Sequence, residues 1–303
     1  MKLLKYIFLI ILGALPIIVF SCREIPADKS AMLGDDFRLF QGTIAWDLAK
    51  AVEDQDTAEI KRQVTLLKVP VDYKEEKFGQ TLLIMSVNTY KIRSAKILLE
   101  LGADPNEPED TIRNFGRNAV IYASKFGTPQ MLKLLLEYGG DPNSIERGVH
   151  QDNLDNWIPA RHFALYDAIP DGIRKVKLLV EAGADVNMQT EDIDSGTIKM
   201  AMVFDHMDVL LYLLEHGADY NRKFERMIDS DSTIYVDILY ELRLCTYPLD
   251  SKEYKDKLKV IDFLQKRGLD YWKSPIPNWI YSVIERNVGS MSEEELQEYL
   301  KRY

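Results

Sequence analysis

The sequence predicts an all-α solenoid of stacked helix–turn–helix units with projecting loops, and three observations carry that expectation. Five segments end in nearly the same words: Gly102-Ala103-Asp104-Pro105-Asn106, Gly139-Gly140-Asp141-Pro142-Asn143, Gly183-Ala184-Asp185-Val186-Asn187, Gly217-Ala218-Asp219-Tyr220-Asn221 and a degenerate Gly268-Leu269-Asp270. Their glycines are spaced by 37 (139 − 102), 44 (183 − 139), 34 (217 − 183) and 51 (268 − 217) residues. A self-similar period just above about 33 residues marks a repeat protein. Before each glycine runs an apolar helix, such as Met131, Leu132, Leu134, Leu135 and Leu136, or Val209, Leu210, Leu211, Leu213 and Leu214. Helices apolar on more than one face must be covered by neighbours on both sides.

The chain begins differently. Lys2 and Lys5 give a positive start, Tyr6–Phe20 is an apolar run broken only by Gly13 and Pro16, and Ser21-Cys22 comes next. This is the layout of a secretory signal peptide. With cysteine directly after the run, residues 1–21 resemble a bacterial lipoprotein signal, Val19-Phe20-Ser21-Cys22 standing as the lipobox with Phe20 bulkier than usual. The resemblance implies cleavage before Cys22 and lipidation of that cysteine, each buried CH₂ adding about 0.8 kcal/mol of anchoring. A plain signal peptide and an uncleaved helical anchor are the alternative readings; the run is at the short limit for a span, which needs roughly 17 residues. Every one of these readings exports the repeat region. The lipoprotein reading places it in a bacterial envelope, at the outer membrane facing the periplasm. Residues 22–44 are polar and irregular, and are expected to form a tether.

Residues 45–272 hold about six repeats, the first and last degenerate. Each glycine sits where a helix must stop at positive φ. The Asp and Asn after it suit a turn, because their side chains bond nearby backbone. A shorter helix lies upstream, for example Ala119-Val120-Ile121-Tyr122-Ala123-Ser124. These features resemble the ankyrin repeat, best in Gly116–Asn143 and again in Gly79–Asn106, with Ala201 and His206 at the family spacing before Gly217. The family's Thr-Pro-Leu-His segment is altered: Leu82 and Ala119 replace Pro, and Ile84 and Ile121 replace His. Thr81 and Asn118 can still cap a helix, so the tie between repeats is expected to come from apolar packing. The first unit, residues 51–72, lacks the glycine and has Pro70 near its place, as an N-terminal cap would. The last, about 232–272, exceeds a period by 18 residues (51 − 33). Residues 273–303 read as C-terminal capping helices, with Ser292 and Glu295 forming a capping box.

The net charge is −10, and removal of Lys2 and Lys5 with the leader makes it −12. An acidic chain argues against nucleic acid and against adsorption to anionic lipid, and favours a basic protein partner. There are two cysteines. With Cys22 lipidated, Cys245 is left unpaired, so stacking rather than disulfides must supply stability. Cys245 reads as a small buried hydrophobe, a reactive thiol being the alternative. No two of the four histidines are four apart and none neighbours a cysteine, so no zinc site is signalled. Asp229-Ser230-Asp231 and Glu191-Asp192-Ile193-Asp194 lack the turn glycine and distal Glu of a calcium loop. No phosphate-binding glycine loop or nucleophile elbow is present. The expectation is a non-enzymatic protein with no cofactor, monomeric when unbound and reaching the membrane only through its lipid.

The ankyrin resemblance implies a concave partner-binding side built from the short helices and the loops. Carried over position by position, it selects Lys77, Phe78 and Gln80; Asn88 and Thr89; Asn114, Phe115 and Arg117; Lys125 and Phe126; Val203 and Phe204. Phe78 and Phe115 have a second reading, packing of the loop itself. The 44-residue interval places about eleven extra residues (44 − 33) around 144–157, ending in Trp157, and insertions in repeats fall in loops, often on the binding face. Residues 222–232 and 246–252 are expected to enlarge the same rim. Among ankyrin-repeat lipoproteins are immunity proteins that neutralise secreted antibacterial effectors, which is the expected role; a scaffold for an envelope complex is the alternative.

Overall fold

The computed structural model describes residues 26–303 apart from 153, 191–195, 230–231 and 278. The expected leader and lipidated Cys22 lie outside the described residues, as do Glu191–Asp194, Asn153 and Ser230-Asp231.

Among the described residues six helix pairs succeed one another: α1 (Trp46–Glu53) with α2 (Thr57–Thr65), α3 (Leu82–Asn88) with α4 (Ile92–Glu100), α5 (Ala119–Lys125) with α6 (Pro129–Glu137), α7 (Ala164–Ala168) with α8 (Ile173–Glu181), α9 (Gly196–Val203) with α10 (Met207–Glu215), and α11 (Ile238–Leu244) with α12 (Lys252–Gln265). A seventh pair, α13 (Ile280–Val288) and α14 (Glu293–Arg302), closes the chain. First helices pack on first helices from α1 to α13, and second helices on second helices from α2 to α12. One apolar core, including Leu48, Leu83, Val120, Leu165, Ile198 and Leu242, runs through all six repeats.

Local chemistry sets the boundaries. Thr81 and Asn118 cap α3 and α5 by accepting from the N–H of Ile84 and Ile121, and Ser292 with Glu295 makes the expected capping box on α14. The five helix-ending glycines adopt φ between 86° and 100°. Each Asp after them accepts from the N–H two residues on, as in Asp141 to Asn143 at 2.8 Å.

The tie between repeats is polar as well as apolar, which the sequence reading missed. Asn106 Nδ2 donates to Gly139 O (3.0 Å) while its Oδ1 accepts from Asp141 N–H (2.8 Å). Asn143 repeats the pair on Gly183 O (3.2 Å) and Asp185 N–H (2.8 Å). Asn187 does so on Gly217 O (2.9 Å) and Asp219 N–H (2.8 Å). A side-chain amide is both donor and acceptor, so one asparagine per repeat closes two backbone groups of the next.

Two further expectations are corrected. The tether is shorter than residues 22–44: a turn at Phe37–Phe40 is capped by Asp36, and Phe37, Leu39 and Phe40 are buried. The helical solenoid stands as expected, and the two widest intervals add antiparallel hairpins to it. β1 (Val149–Gln151) pairs with β2 (Trp157–Pro159), and β3 (Phe224–Asp229) with β4 (Ser232–Val236). Thr246 and Tyr247 do not belong to a rim. Thr246 and Tyr247 are buried and hold the C-terminal pair, Thr246 Oγ1 accepting from Asn287 Nδ2 (2.9 Å) and Tyr247 O from the Tyr299 hydroxyl (3.0 Å).

Candidate partner-binding surface

The segments that leave each second helix and enter the next first helix fold back as fingers, and a buried glutamate closes the base of three of them. Glu75, Glu109 and Glu146 stand three residues after Asp72, Asn106 and Asn143. Their backbone N–H groups donate to Gln80 O (3.1 Å), Arg117 O (2.9 Å) and His162 O (2.8 Å) in turn. All three are at most 3% exposed. The Glu75 carboxylate accepts from the N–H of Lys77, Phe78 and Gln80. Glu146 accepts from Arg117 Nε (2.6 Å) and His162 N–H (3.2 Å). Glu109 accepts from the Tyr122 hydroxyl (2.9 Å) and Gln80 Nε2 (3.2 Å), and burial raises its carboxyl above the usual range. Buried carboxylates persist where several donors satisfy them. Sequence reasoning missed these residues, although Asx-x-x-Glu in three successive repeats was a visible signal.

The fingers are also joined side to side. Asp110 N–H and Asn114 Nδ2 both donate to Phe78 O (3.0 Å each). Gly148 N–H donates to Phe115 O (2.8 Å) and Val149 N–H to Asn114 O (2.9 Å).

Against this geometry the expected contact residues divide. Gln80 is 3% exposed and spent inside, its Nε2 shared between Glu109 and the Tyr122 hydroxyl; it does not reach a partner. Arg117 is paired with Glu146 and its side chain is 11% exposed. The Lys77 amine donates to the carbonyls of Lys29 (3.1 Å), Ser30 (2.8 Å) and Met32 (2.8 Å), pinning the N-terminal segment. Asn114 ties two fingers, and Phe115 stacks on His150 (5.4 Å between rings) under the Arg117 guanidinium (3.8 Å), which is the loop-packing reading. Phe78 is half-buried beneath the Lys77 amine. Asn88 is half-buried, and Thr89 bonds back to Met85 O (2.7 Å). Lys125 lies 3.3 Å from Asp167.

The exposed remainder is apolar. Phe126 is 46%, Trp157 55%, Val203 64% and Phe204 43% exposed. Phe126 directly succeeds the first helix α5, and Phe204 the first helix α9. Tyr90, after α3, was not selected from sequence, yet it is 60% exposed with φ 59° and donates from its hydroxyl to Phe126 O (3.1 Å). An aromatic standing where the best repeat has Gly127 was the available signal. Exposed aromatics of this kind are common anchors of interfaces.

The histidines and the remaining cysteine already have partners or are shielded. His206 Nε2 sits 3.1 Å from Pro170 O, His216 Nδ1 2.7 Å from Tyr212 O, and His162 Nδ1 3.0 Å from Asp167. Burial pushes the Cys245 thiol up to about 12, which keeps it protonated and favours the buried-hydrophobe reading. Among the described residues no group of three or more His, Cys, Asp and Glu could hold a metal ion, and no helix is long and apolar enough to cross a membrane.

Residues 48–146 match the family model for ankyrin repeats, in three copies. Over these residues the chain is similar to ankyrin repeats. The stack continues the ankyrin fold beyond them through α11 and α12. A solved structure, the crystal structure of EF0377, an ankyrin repeat protein, is 23% identical and covers 73% of this chain and 96% of its own, with a TM-score of 0.48. No curated protein matches the sequence. Ankyrin repeats are protein-interaction modules, and the likeness implies a protein-binding role.

Proposed function

We propose that this chain is a non-enzymatic, lipid-tethered binding protein of a bacterial envelope whose partner docks across the fingers and first-helix ends, and that it serves as an immunity protein against a secreted effector. The observation that carries the docking site is the pair of exposed phenylalanines, Phe126 and Phe204, at the same place in two repeats. Packing of the repeat demands no aromatic there, since Thr89 occupies that place after α3. The exported, lipid-tethered part of the reading rests on residues 1–22: Lys2, Lys5, the apolar run and Cys22. The basic character of the partner rests on the net charge of −10.

The test is crosslinking of the full chain in its native cells. A single secreted protein, captured by wild type and lost with Phe126→Ala/Phe204→Ala, is the expected result. A resident multi-protein envelope complex contradicts the immunity role and supports the scaffold reading. Labelled fatty acid should enter the wild-type chain and not Cys22→Ser; equal labelling removes the lipid anchor.

A further inference from the structure

One end of the first helix pair carries aliphatic side chains that the repeat does not call for. Leu66, Leu67 and Lys68 follow α2 and are exposed, the two leucines by 72% and 53%. The later second helices α4, α6, α8 and α10 are followed instead by Leu101-Gly102, Tyr138-Gly139, Ala182-Gly183 and His216-Gly217. Ile44, two residues before α1, is 67% exposed. α1 and α2 pack on each other and are joined by residues 54–56 alone, as an antiparallel helical hairpin. The start of α1 and the end of α2 therefore share its open end, and the three aliphatics with them.

Charge divides along the same hairpin. Glu53, Asp54 and Asp56 are exposed at its closed end, whereas exposed Lys61 and Lys68 lie on α2 and just after it. Asp47 is paired with Lys50 (2.8 Å) and Glu59 with Arg62 (2.7 Å). Asp28 and Asp35 stand on the stretch held against the first finger, where the Lys77 amine bonds three carbonyls and Gly34 lies beside Gln80. The chain also enters at the open end. Pro26 and Ala27 line one hollow with Gln41, Gly42 and Trp46, and Ala27 N–H donates to Gln41 Oε1 (2.6 Å). Cys22 is four residues upstream (26 − 22), a reach of at most roughly 14 Å.

We infer that the open end of the first helix pair rests on the bilayer surface, with Ile44, Leu66 and Leu67 at the boundary between headgroups and acyl chains and Lys61 and Lys68 at lipid phosphates. This rests on the lipid-anchor reading above. A lipidated Cys22 within roughly 14 Å of Pro26 holds the first repeat against the bilayer. Exposed aliphatics flanked by lysine suit that boundary and add a second membrane contact to the acyl chains. The net charge of −10 opposes adsorption of the chain as a whole, so the end that keeps its unbalanced acids at the far turn is the end that can approach lipid. Phe126 and Phe204, in the third and fifth repeats, remain open to a protein partner.

A photo-crosslinking residue is placed at 44, 66 or 67 of the full chain, in native cells whose phospholipids are radiolabelled, with exposed position 54 at the other end of the same hairpin as control. The expected result is phospholipid joined to the chain at all three positions and roughly tenfold less at 54, as burial of a leucine implies. Leu66→Ser/Leu67→Ser should cut lipid capture at 44 several-fold, with fatty-acid incorporation at Cys22 and the unfolding midpoint as in wild type. In chain that carries fatty acid and sediments with membranes, equal lipid capture at 54 and 66, none at either, or capture of a protein in place of lipid at 66 overturns the inference and leaves the anchor standing. If no fatty acid is incorporated and the chain stays in the soluble fraction, the anchor falls and the membrane seat falls with it.

Discussion

At the residue scale, Tyr90 combines a strained backbone with an exposed ring. It stands at φ 59°, as Gln55 and Asp205 stand at 56° and 57° in other repeats, and an L-residue in the left-handed region costs roughly 1–2 kcal/mol. Its ring is nonetheless exposed beside Phe126. Tyr90→Gly should therefore raise stability by up to about 1 kcal/mol in urea denaturation while lowering affinity for the partner. Lys257 offers a second residue-scale test. It is 1% exposed, donates to Cys245 O (3.0 Å), and its ammonium lies 4.1 Å from the Tyr303 ring centre. Burial, with Arg243 nearby, pulls its amine down to about 7 from 10.5. Between these values the unfolded chain holds a proton that the folded chain does not, so stability rises with pH. The penalty is full below pH 7 and fades towards 10.5. Urea midpoints should climb from about pH 7 to about pH 10 in wild type, and Lys257→Met should flatten that climb; parallel curves would contradict it.

At the scale of elements, the stack is held by two devices of different legibility. The apolar faces were plain in the sequence because leucines recur at helical spacing before each glycine. Leu135, wholly buried on α6, should cost about 2–5 kcal/mol as Leu135→Ala. The asparagine ladder was not legible: the repeated Asn was visible, but its bonds run to the next repeat, and no local pattern shows which backbone groups face it. Asn143→Ala should cost about 1 kcal/mol and disturb amide exchange at Asp185 more than within its own repeat. The buried glutamates illustrate the same limit, since a charged residue in a loop reads as solvated until its donors are known. Gln80 and Arg117 were misassigned for that reason. The hairpins at the two swollen intervals were located as insertions, whereas their strand pairing depends on a neighbouring finger that sequence does not place. Residues 37–40 read as tether because a short Phe-Arg-Leu-Phe run has no period long enough to register.

Across the whole molecule, these features separate a scaffold from a surface. Fold class was legible in the glycine spacing. The surface was not, because exposure is a property of the assembled stack: of the residues expected to meet a partner, Phe126, Trp157, Val203 and Phe204 emerge exposed, while others hold the fingers together. The proposed docking surface therefore consists of exposed side chains, Phe126 and Phe204 at the first-helix ends among them, and not of the interior of the stack. Calorimetric titration decides the matter, with the crosslinked and then purified partner added to wild-type chain and to Phe126→Ala/Phe204→Ala. Affinity should fall roughly tenfold or more in the double variant, with an unfolding midpoint unchanged from wild type. Equal affinity in the two proteins would contradict recognition by this surface.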